Sequence, residues 1–338
     1  MVSARSDNVC HSENPSFLAP MEISVPPSRI SRRARTLNAL YRRMLKPRTY
    51  EAFDVAAARR TVARLDRLLG GMVPNNARSA VDANGVPAEW IPAEVTSRSR
   101  VLLYLHGGGF VFRTPRTHGR LAARLARMVD ARALVPDYRL APEHPLPAAH
   151  EDCFAAYRWL LGQGYDPARI ALLGDSAGGL LVLSTLQRIR DAGLPRPACA
   201  IMFSPAADLA DAASLDAADL RDDPMIGPGL LELVQTLVIA PIDANDPALS
   251  PCAGSLAGLP PLLIQVGSTE ALLGQAVKTA ELARAAGTSV DLQICPQMPH
   301  VFQAVSWLPE TRRALAQVRD FVMAHAPVAS PSHGEPRI

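Results

Sequence analysis

The chain has 338 residues, of which 48% are hydrophobic and 20% are charged, and this balance is typical of a globular protein with a sizeable core. Its formal net charge of +3 is too small to indicate a nucleic-acid-binding protein. Many of the basic residues lie between Arg29 and Arg48, and a solvated helix face is the simplest interpretation of such a run.

Neither a membrane-spanning segment nor a metal centre is expected. The first residues contain no continuous apolar stretch of signal-peptide length, and no apolar run reaches the ~18 residues of a transmembrane helix. The five cysteines are far apart and have no zinc-ligand spacing, so we interpret them as thiols of a reducing compartment. We therefore expect a cytoplasmic protein with no stable membrane insertion, no metal and no organic cofactor.

Two helices are predicted in the N-terminal part of the chain. Residues 1–28 are rich in Ser, Pro and Asn, and we interpret them as a flexible N-terminal segment. Residues 30–46 and 54–69 follow, each with apolar side chains at helical spacing. In the simpler interpretation the first helix packs on the body of the protein; in the alternative it covers an entrance or touches a membrane surface.

Residues 81–326 are predicted to form the main, catalytic domain, in which short apolar runs alternate with helical patterns from Trp90 onward. The predicted strands are Val101–Leu105, Ala133–Pro136, Ile170–Leu173, Ala198–Phe203, Leu262–Val266 and Val290–Cys295. This alternation predicts an α/β fold with a mostly parallel central sheet that helices cover on both faces. Residues 205–245 interrupt the pattern and are predicted to form a cap insertion that joins the N-terminal cap helices in residues 29–80. Residues 327–338 are predicted to be a flexible tail.

A candidate nucleophile follows the predicted strand Ile170–Leu173. The segment Gly174–Gly178 matches the pattern Gly-x-Ser-x-Gly, which occurs where a strand turns sharply into a helix. Such a turn presents Ser176 at the positive end of the following helix. The pattern alone also fits a glycine-rich turn with a solvated serine, but the order of strand, motif and helix favours the nucleophile.

A glycine-rich loop follows the predicted strand Val101–Leu105. The segment His106–Gly109 leaves backbone N–H groups unshielded by side chains, and such donors stabilise the oxyanion of an acyl-transfer intermediate. We assign this oxyanion hole to the N–H groups of Gly107, Gly108 and Ala177, the last of which directly follows the candidate nucleophile. A tight turn without a ligand is the alternative.

A serine nucleophile needs a base and an acid that orients the base. His300 lies in a loop after the predicted strand Val290–Cys295, late in the chain as the order Ser, acid, His requires. Glu270 lies in the loop after Leu262–Val266 and would hold His300 in the correct tautomer. We therefore take Ser176, Glu270 and His300 as the candidate catalytic triad.

These motifs together resemble the hormone-sensitive-lipase-like family of esterases and lipases, also called bacterial family IV. The resemblance extends from about Trp90 to Phe302 and includes the motifs His-Gly-Gly-Gly, Asp-Tyr-Arg-Leu-Ala-Pro-Glu-His-Pro, Gly-Asp-Ser-Ala-Gly-Gly and Asp-Pro-Ala-Leu-Ser-Pro. It implies an α/β-hydrolase core with a helical cap, which hydrolyses short- to medium-chain carboxylic esters without metal or organic cofactor. It also implies an internal pair between Arg139 and Glu143.

The sequence departs from the family pattern at the acid and near the pocket. The acid is Glu270, where the family often has Asp, and Glu can reach the same partner. Ala206 stands after Pro205, where the family often has Trp, and this difference predicts a larger pocket.

The expected partner is a small-molecule ester, and a homodimer is left open. The same acyl-enzyme chemistry serves amidases and deacetylases, so amide hydrolysis is an alternative function. A non-catalytic small-molecule receptor on the same fold is a second alternative, and the presence of His300 argues against it.

Overall fold

One sheet organises the residues that the computed structural model describes, which are 23–24, 30–46, 54–70, 78–92 and 100–327. Nine strands of these residues form the sheet. They are β1 (Ile23–Ser24), β2 (Ser79–Asp82), β3 (Pro87–Pro92), β4 (Arg100–Leu105), β5 (Ala131–Pro136), β6 (Ile170–Asp175), β7 (Cys199–Phe203), β8 (Leu262–Gly267) and β9 (Val290–Cys295). Their order across the sheet is β1-β9-β8-β7-β6-β4-β5-β3-β2.

In this spatial order, all neighbouring strands between β1 and β5 are parallel. Strand β3 is antiparallel to both of its neighbours, β5 and β2. Strands β4, β6, β7 and β8 are buried along their whole length, as expected for parallel strands with helices on both faces. Because successive side chains of a strand lie on opposite faces, Leu102 and Tyr104 belong to one apolar core, and Val101, Leu103 and Leu105 belong to the other.

Helices cover both faces of this sheet. Those of the described residues are α1 (Arg32–Met44), α2 (Val55–Leu69), α3 (Pro115–Met128), α4 (Ala148–Gly162), α5 (Ala177–Asp191), α6 (Leu209–Ser214), α7 (Pro228–Val234), α8 (Leu273–Ala285) and α9 (Pro309–His325). The apolar side chains of α3 and α9 pack in the core that contains Leu102. Those of α4, α5 and α8 pack in the core that contains Val101.

The predicted α/β fold is confirmed, and so is the order of strands and helices from β4 onward. Helix α4 extends from Ala148 to Gly162, although the apolar pattern predicts a helix only over residues 157–161, because apolar periodicity marks only the part of a helix that faces the core. The hairpin of β2 and β3 is not predicted by the sequence. It begins at Ser79, two residues before the predicted start of the catalytic domain at residue 81.

The predicted segments at the two ends of the chain lie mostly outside the described residues. Of residues 1–28, only Ile23–Ser24 is described, and it pairs in parallel with Leu292 and Gln293 of β9. Of the predicted tail 327–338, only its first residue is described.

The two regions predicted as cap contain helices, although Ser79 and Ala80 at the end of the first region belong to β2. Residues 29–80 contain α1 and α2. Residues 205–245 contain α6 and α7, and α7 continues into a wider π-helical turn over Gln235–Ile239.

The ion pair between Arg139 and Glu143 that the family resemblance implied is wrong. The Arg139 guanidinium instead donates to both carboxylate oxygens of Asp152 on α4, at 2.8 to 3.0 Å. Glu143 accepts hydrogen bonds of 2.7 and 2.9 Å from Arg59 of α2. The two side chains therefore tie the same loop to two different helices, because each has a partner of opposite charge on the helix that it faces.

These two ion pairs predict different losses of stability. Asp152→Asn is expected to lower the free energy of unfolding by about 1.5–3 kcal/mol, because its side chain is only 10% exposed and a charged hydrogen bond is lost. Glu143→Gln is expected to cost less than about 1 kcal/mol, because that side chain is 56% exposed. Urea denaturation of both variants measures the difference, and equal losses would contradict the assignment.

Candidate active site

Loops at the carboxyl ends of five parallel strands line one cavity of ≈ 360 Å³. These loops follow β4, β6, β7, β8 and β9, and the cavity residues that they supply include Gly108, Gly109, Ser176, Ala177, Ala206, Leu272 and His300. The cavity thus contains the predicted nucleophile and base, and two of the three predicted oxyanion-hole residues.

Ser176 lies in the sharp turn from β6 into α5, with φ 54° and ψ −122°. Non-glycine residues rarely adopt such a conformation, so the surrounding structure must hold it. A Cβ on Gly178 would lie 2.0 Å from the carbonyl oxygen of Leu105, and a Cβ on Gly174 would lie 2.3 Å from that of Gly178. The two motif glycines therefore let α5 approach β4 closely enough to make the turn.

His300 and Glu270 form a buried pair at one end of the cavity. His300 Nδ1 lies 2.8 Å from Glu270 Oε2. The other carboxylate oxygen of Glu270 accepts hydrogen bonds from the Gly267 N–H at 2.5 Å and the Ser204 hydroxyl at 2.8 Å. The Ser204 oxygen also accepts from the Val301 N–H at 3.1 Å, so it links the acid to the loop that carries the histidine.

The pair shifts the pKa of the imidazole. Burial by itself lowers the pKa of His300, but the hydrogen bond from its ring to Glu270 and the charge of that carboxylate outweigh burial. Asp223 and Asp175 add smaller favourable charges, and the pKa is raised above its ordinary value of 6.5. The side chain is therefore a stronger base than a histidine in water.

Ser176 and His300 face the same cavity from opposite loops. Within the described part of the chain, the structure shows no direct hydrogen bond between the serine hydroxyl and the imidazole. Catalytic hydrogen bonds are often long before substrate binds, so this separation is compatible with His300 as the candidate base.

The loop after β4 is fastened to the serine turn by the buried carboxylate of Asp175. Its Oδ1 accepts from the Tyr104 hydroxyl at 2.7 Å and from the Gly107 N–H at 3.1 Å. Its Oδ2 lies 3.3 Å from Nε2 of His118. Burial raises the pKa of Asp175, but the charge and hydrogen bond of His118 and the Tyr104 hydroxyl outweigh it and hold the pKa below its ordinary range.

This contact corrects the predicted oxyanion hole. The Gly107 N–H already donates to Asp175, and Gly107 does not line the cavity. Gly108, Gly109 and Ala177 do line it, and their N–H groups have no acceptor among the residues that the structure describes. The three consecutive glycines of this loop already indicated that Gly109 could supply an N–H donor. The sequence did not indicate which of these N–H groups is bonded to an acceptor within the protein.

His106 is the first residue of the same loop, and its ring packs outside the cavity. Its ring stacks on Tyr138 with 4.2 Å between ring centroids, and the Tyr138 hydroxyl donates to the His106 carbonyl oxygen at 2.6 Å. Burial, with the charge of nearby His118, lowers the pKa of His106 to about 3, so the ring is neutral. A neutral, stacked imidazole outside the cavity has a structural role.

Helices from both predicted cap regions form the rest of the cavity wall. The wall is mostly apolar, and its side chains include Tyr41, Leu45, Val62, Leu65, Leu209, Leu230, Leu231 and Val234. Ala206 also borders the cavity, at the position where a larger pocket is predicted. An apolar wall around a few polar groups is typical of a site for a small organic ligand.

The described residues contain no cluster of three or more His, Cys, Asp or Glu side chains that could hold a metal ion. None of the described helices combines the length and apolar character that crossing a bilayer requires.

Comparison with known sequences gives consistent matches. A protein-family profile described as an alpha/beta hydrolase fold matches residues 102–304. An acetyl-hydrolase of Streptomyces hygroscopicus is 43% identical, over 68% of this chain and 76% of its own length. The esterase LipU of Mycobacterium tuberculosis is 36% identical, over 74% of this chain and 84% of its own length. The carboxylesterase/phospholipase LipF of the same species is 35% identical, over 74% of this chain and 67% of its own length.

Solved structures give the same result. An esterase from the bacterial hormone-sensitive lipase family superimposes with a TM-score of 0.78 and 38% identity, over 88% of this chain and 99% of that chain. The esterase EstE5, soaked with p-nitrophenyl butyrate, superimposes with a TM-score of 0.78 and 37% identity, over 87% of this chain and 99% of that chain.

Proposed function

Because this chain belongs to the hormone-sensitive-lipase-like family of α/β hydrolases and is a serine ester hydrolase, we propose that it cleaves short- to medium-chain carboxylic esters through Ser176, His300 and Glu270. The observation that carries the proposal is the placement of the strained Ser176 and the 2.8 Å His300–Glu270 pair at a single apolar cavity.

In the proposed reaction His300 acts first as a base and then as an acid. It takes the proton of the Ser176 hydroxyl as the oxygen attacks the ester carbonyl carbon, and it gives that proton to the alcohol that leaves. Water then attacks the acyl-enzyme, with His300 again as the base, and the carboxylic acid is released. The raised pKa of the imidazole favours the first proton transfer.

Glu270 is proposed to orient the imidazole and to stabilise its protonated form. Its carboxylate is fixed by the Gly267 N–H and the Ser204 hydroxyl, so it holds His300 Nδ1 in one position. This arrangement leaves the other ring nitrogen to face the cavity and Ser176.

The oxyanion hole is proposed to consist of the N–H groups of Gly108, Gly109 and Ala177, with Gly107 removed from the predicted set and Gly109 added. These N–H groups border the cavity and lack acceptors in the described part of the chain. Each such donor typically stabilises the transition state by about 3–4 kcal/mol. The Gly107 N–H positions the loop instead, through Asp175.

The cavity supports a preference for short to medium acyl chains. Its wall is apolar and is formed in part by helices α1, α2 and α7, so it favours an aliphatic group but limits its length. Ala206 leaves room that a larger side chain would fill.

Replacing the nucleophile tests the function directly. Ser176→Ala is expected to reduce turnover of p-nitrophenyl butyrate by about 10⁴-fold or more, because no oxygen remains to form the acyl-enzyme. Ser184→Ala, which changes a buried serine on the same helix, is the matched control and should retain activity. A fluorophosphonate should label the wild type with one equivalent at Ser176. Retained turnover in Ser176→Ala, or labelling at another residue, would exclude the proposed nucleophile.

The pH dependence of kcat/KM tests the role of Glu270. His300 must be neutral to act as a base, so kcat/KM should rise with pH and its midpoint should lie above 6.5, since the pKa is raised. Glu270→Gln removes the carboxylate whose charge and hydrogen bond contribute most to the raised pKa of His300. The midpoint should therefore move to lower pH, and the maximal rate should fall. Asp223→Asn removes a weaker charge and should shift the midpoint less. An unchanged or raised midpoint in Glu270→Gln would show that Glu270 is not the partner of the base.

Filling the space beside Ala206 tests the acyl preference. Wild-type protein should hydrolyse p-nitrophenyl butyrate faster than the dodecanoate. Ala206→Trp should lower kcat/KM for the octanoate by about 10-fold or more relative to the acetate, because the added ring occupies volume that the longer chain needs. Ala213→Trp, on the exposed side of α6, is the matched control and should leave the ratio unchanged. An unchanged ratio in Ala206→Trp would place the acyl group elsewhere.

A further inference from the structure

The positive charge of the chain is concentrated on two helices beside the cavity. Residues 30–46 and 54–70 carry ten Arg and Lys against two Asp, a net of eight positive charges. The whole chain carries only three, so its remaining residues carry a net of five negative charges. One of the two Asp residues, Asp66, is buried and accepts hydrogen bonds from the start of α3, so it does not offset the surface charge.

Helix α1 has two different faces. On the inner face, Tyr41 and Leu45 line the cavity, and Leu37 packs with Met298 and Phe302 near the catalytic histidine. We define the outer face of α1 by six of its exposed charged and apolar side chains together with the neighbouring Trp307. These residues are Arg32, Arg33, Arg35, Leu40, Arg43, Met44 and Trp307.

The outer face combines apolar side chains with cations. Leu40 is 48% exposed, Met44 is 49% exposed and Trp307 is 45% exposed. Trp307 adjoins the helix, because its carbonyl oxygen accepts from the Arg33 guanidinium at 3.0 Å. Within the described ranges, no carboxylate lies within ion-pair distance of Arg32, Arg35 or Arg43.

Hydrogen bonds to the rest of the protein hold both ends of α1 in place. At the start of α1, the Ser31 N–H and hydroxyl donate to the carboxylate of Glu310, at 2.7 and 3.1 Å. At its end, Lys46 donates to the carbonyl oxygens of Leu220 and Arg221, at 2.6 and 2.8 Å. A helix tied down at both ends presents its outer side chains without a folding step.

We propose that the outer face of α1 docks on the surface of an anionic lipid bilayer. Cations attract the negatively charged headgroups, while Leu40, Met44 and Trp307 enter the boundary between headgroups and acyl chains, as in helices that lie in the membrane interface. Tryptophan is favoured at that depth. A soluble polyanion would account for the arginines but not for the three exposed apolar side chains, and a second protein chain would need no surplus of cations.

Docking would place the cavity next to the lipid. The inner face of the same helix lines the cavity, so a lipid-soluble ester could reach it from the bilayer with little exposure to water. The proposal goes beyond ester hydrolysis, and vesicle binding is measured without turnover, so its failure would leave the proposed triad untouched.

The experiment measures binding of the full chain to vesicles by co-sedimentation. Vesicles of phosphatidylcholine alone are compared with vesicles that also contain phosphatidylglycerol, at low and high salt. The test variant is Arg35→Gln/Leu40→Ser/Arg43→Gln. The matched control is Arg319→Gln/Met323→Ser, which removes an arginine and a 46%-exposed methionine near the far end of α9.

Wild-type protein should bind the vesicles that contain phosphatidylglycerol, bind those of phosphatidylcholine alone much more weakly, and dissociate at high salt. The α1 variant should lose about 10-fold or more in affinity, since each arginine near the surface contributes about 5-fold. The α9 control should bind like the wild type, and all three proteins should hydrolyse p-nitrophenyl butyrate equally in solution.

Three results would overturn the proposal. The first is a wild-type protein that stays in the supernatant with anionic vesicles. The second is a Leu40→Ser variant that binds as tightly as the wild type, which would make the face a site for soluble polyanions. The third is a dimer in light scattering that the α1 variant abolishes without any vesicle binding, which would make the face a contact between two copies of the chain.

Discussion

The buried carboxylate of Asp175 is the interaction on which the site depends. It lies at the end of β6, one residue before the candidate nucleophile, and holds the Gly107 N–H and the Tyr104 hydroxyl of the neighbouring strand and loop. An ionised group without water must be satisfied by donors, so its position fixes theirs. The distance between the serine turn and the loop with the free N–H groups is set by this one side chain.

Close approach of the backbone is the second constraint, and it acts at the same place. Glycines at both ends of the serine motif allow α5 to pack against β4, and without them the strained φ of Ser176 could not be held. The cost of the strain is offset by packing of the helix and sheet around it, where α5 is buried along most of its length. The side chain of Ser176 therefore leaves the backbone in a fixed direction towards the cavity.

The charged and titratable groups around the cavity differ from one region to the next. On one side, Glu270 is paired with a histidine whose pKa is raised, which suits a base. On the other, burial keeps His106 neutral, which suits a ring that only supports the glycine loop. Outside, the cationic face of α1 covers the same cavity. The two histidines thus differ in charge because their surroundings differ, and the arginines of α1 add positive charge on the outer side of the cavity wall.

The sequence by itself determined the order of strands and helices from β4 onward and named the candidate serine, acid and histidine, because apolar periodicity and short motifs are local properties of the chain. It could not determine which N–H of the glycine loop is free, since Gly107 is occupied by a carboxylate 68 residues away. Nor could it determine the partners of Arg139 and Glu143, which depend on which helices pack against their loop. Such contacts join residues distant in sequence, so only the tertiary structure decided them.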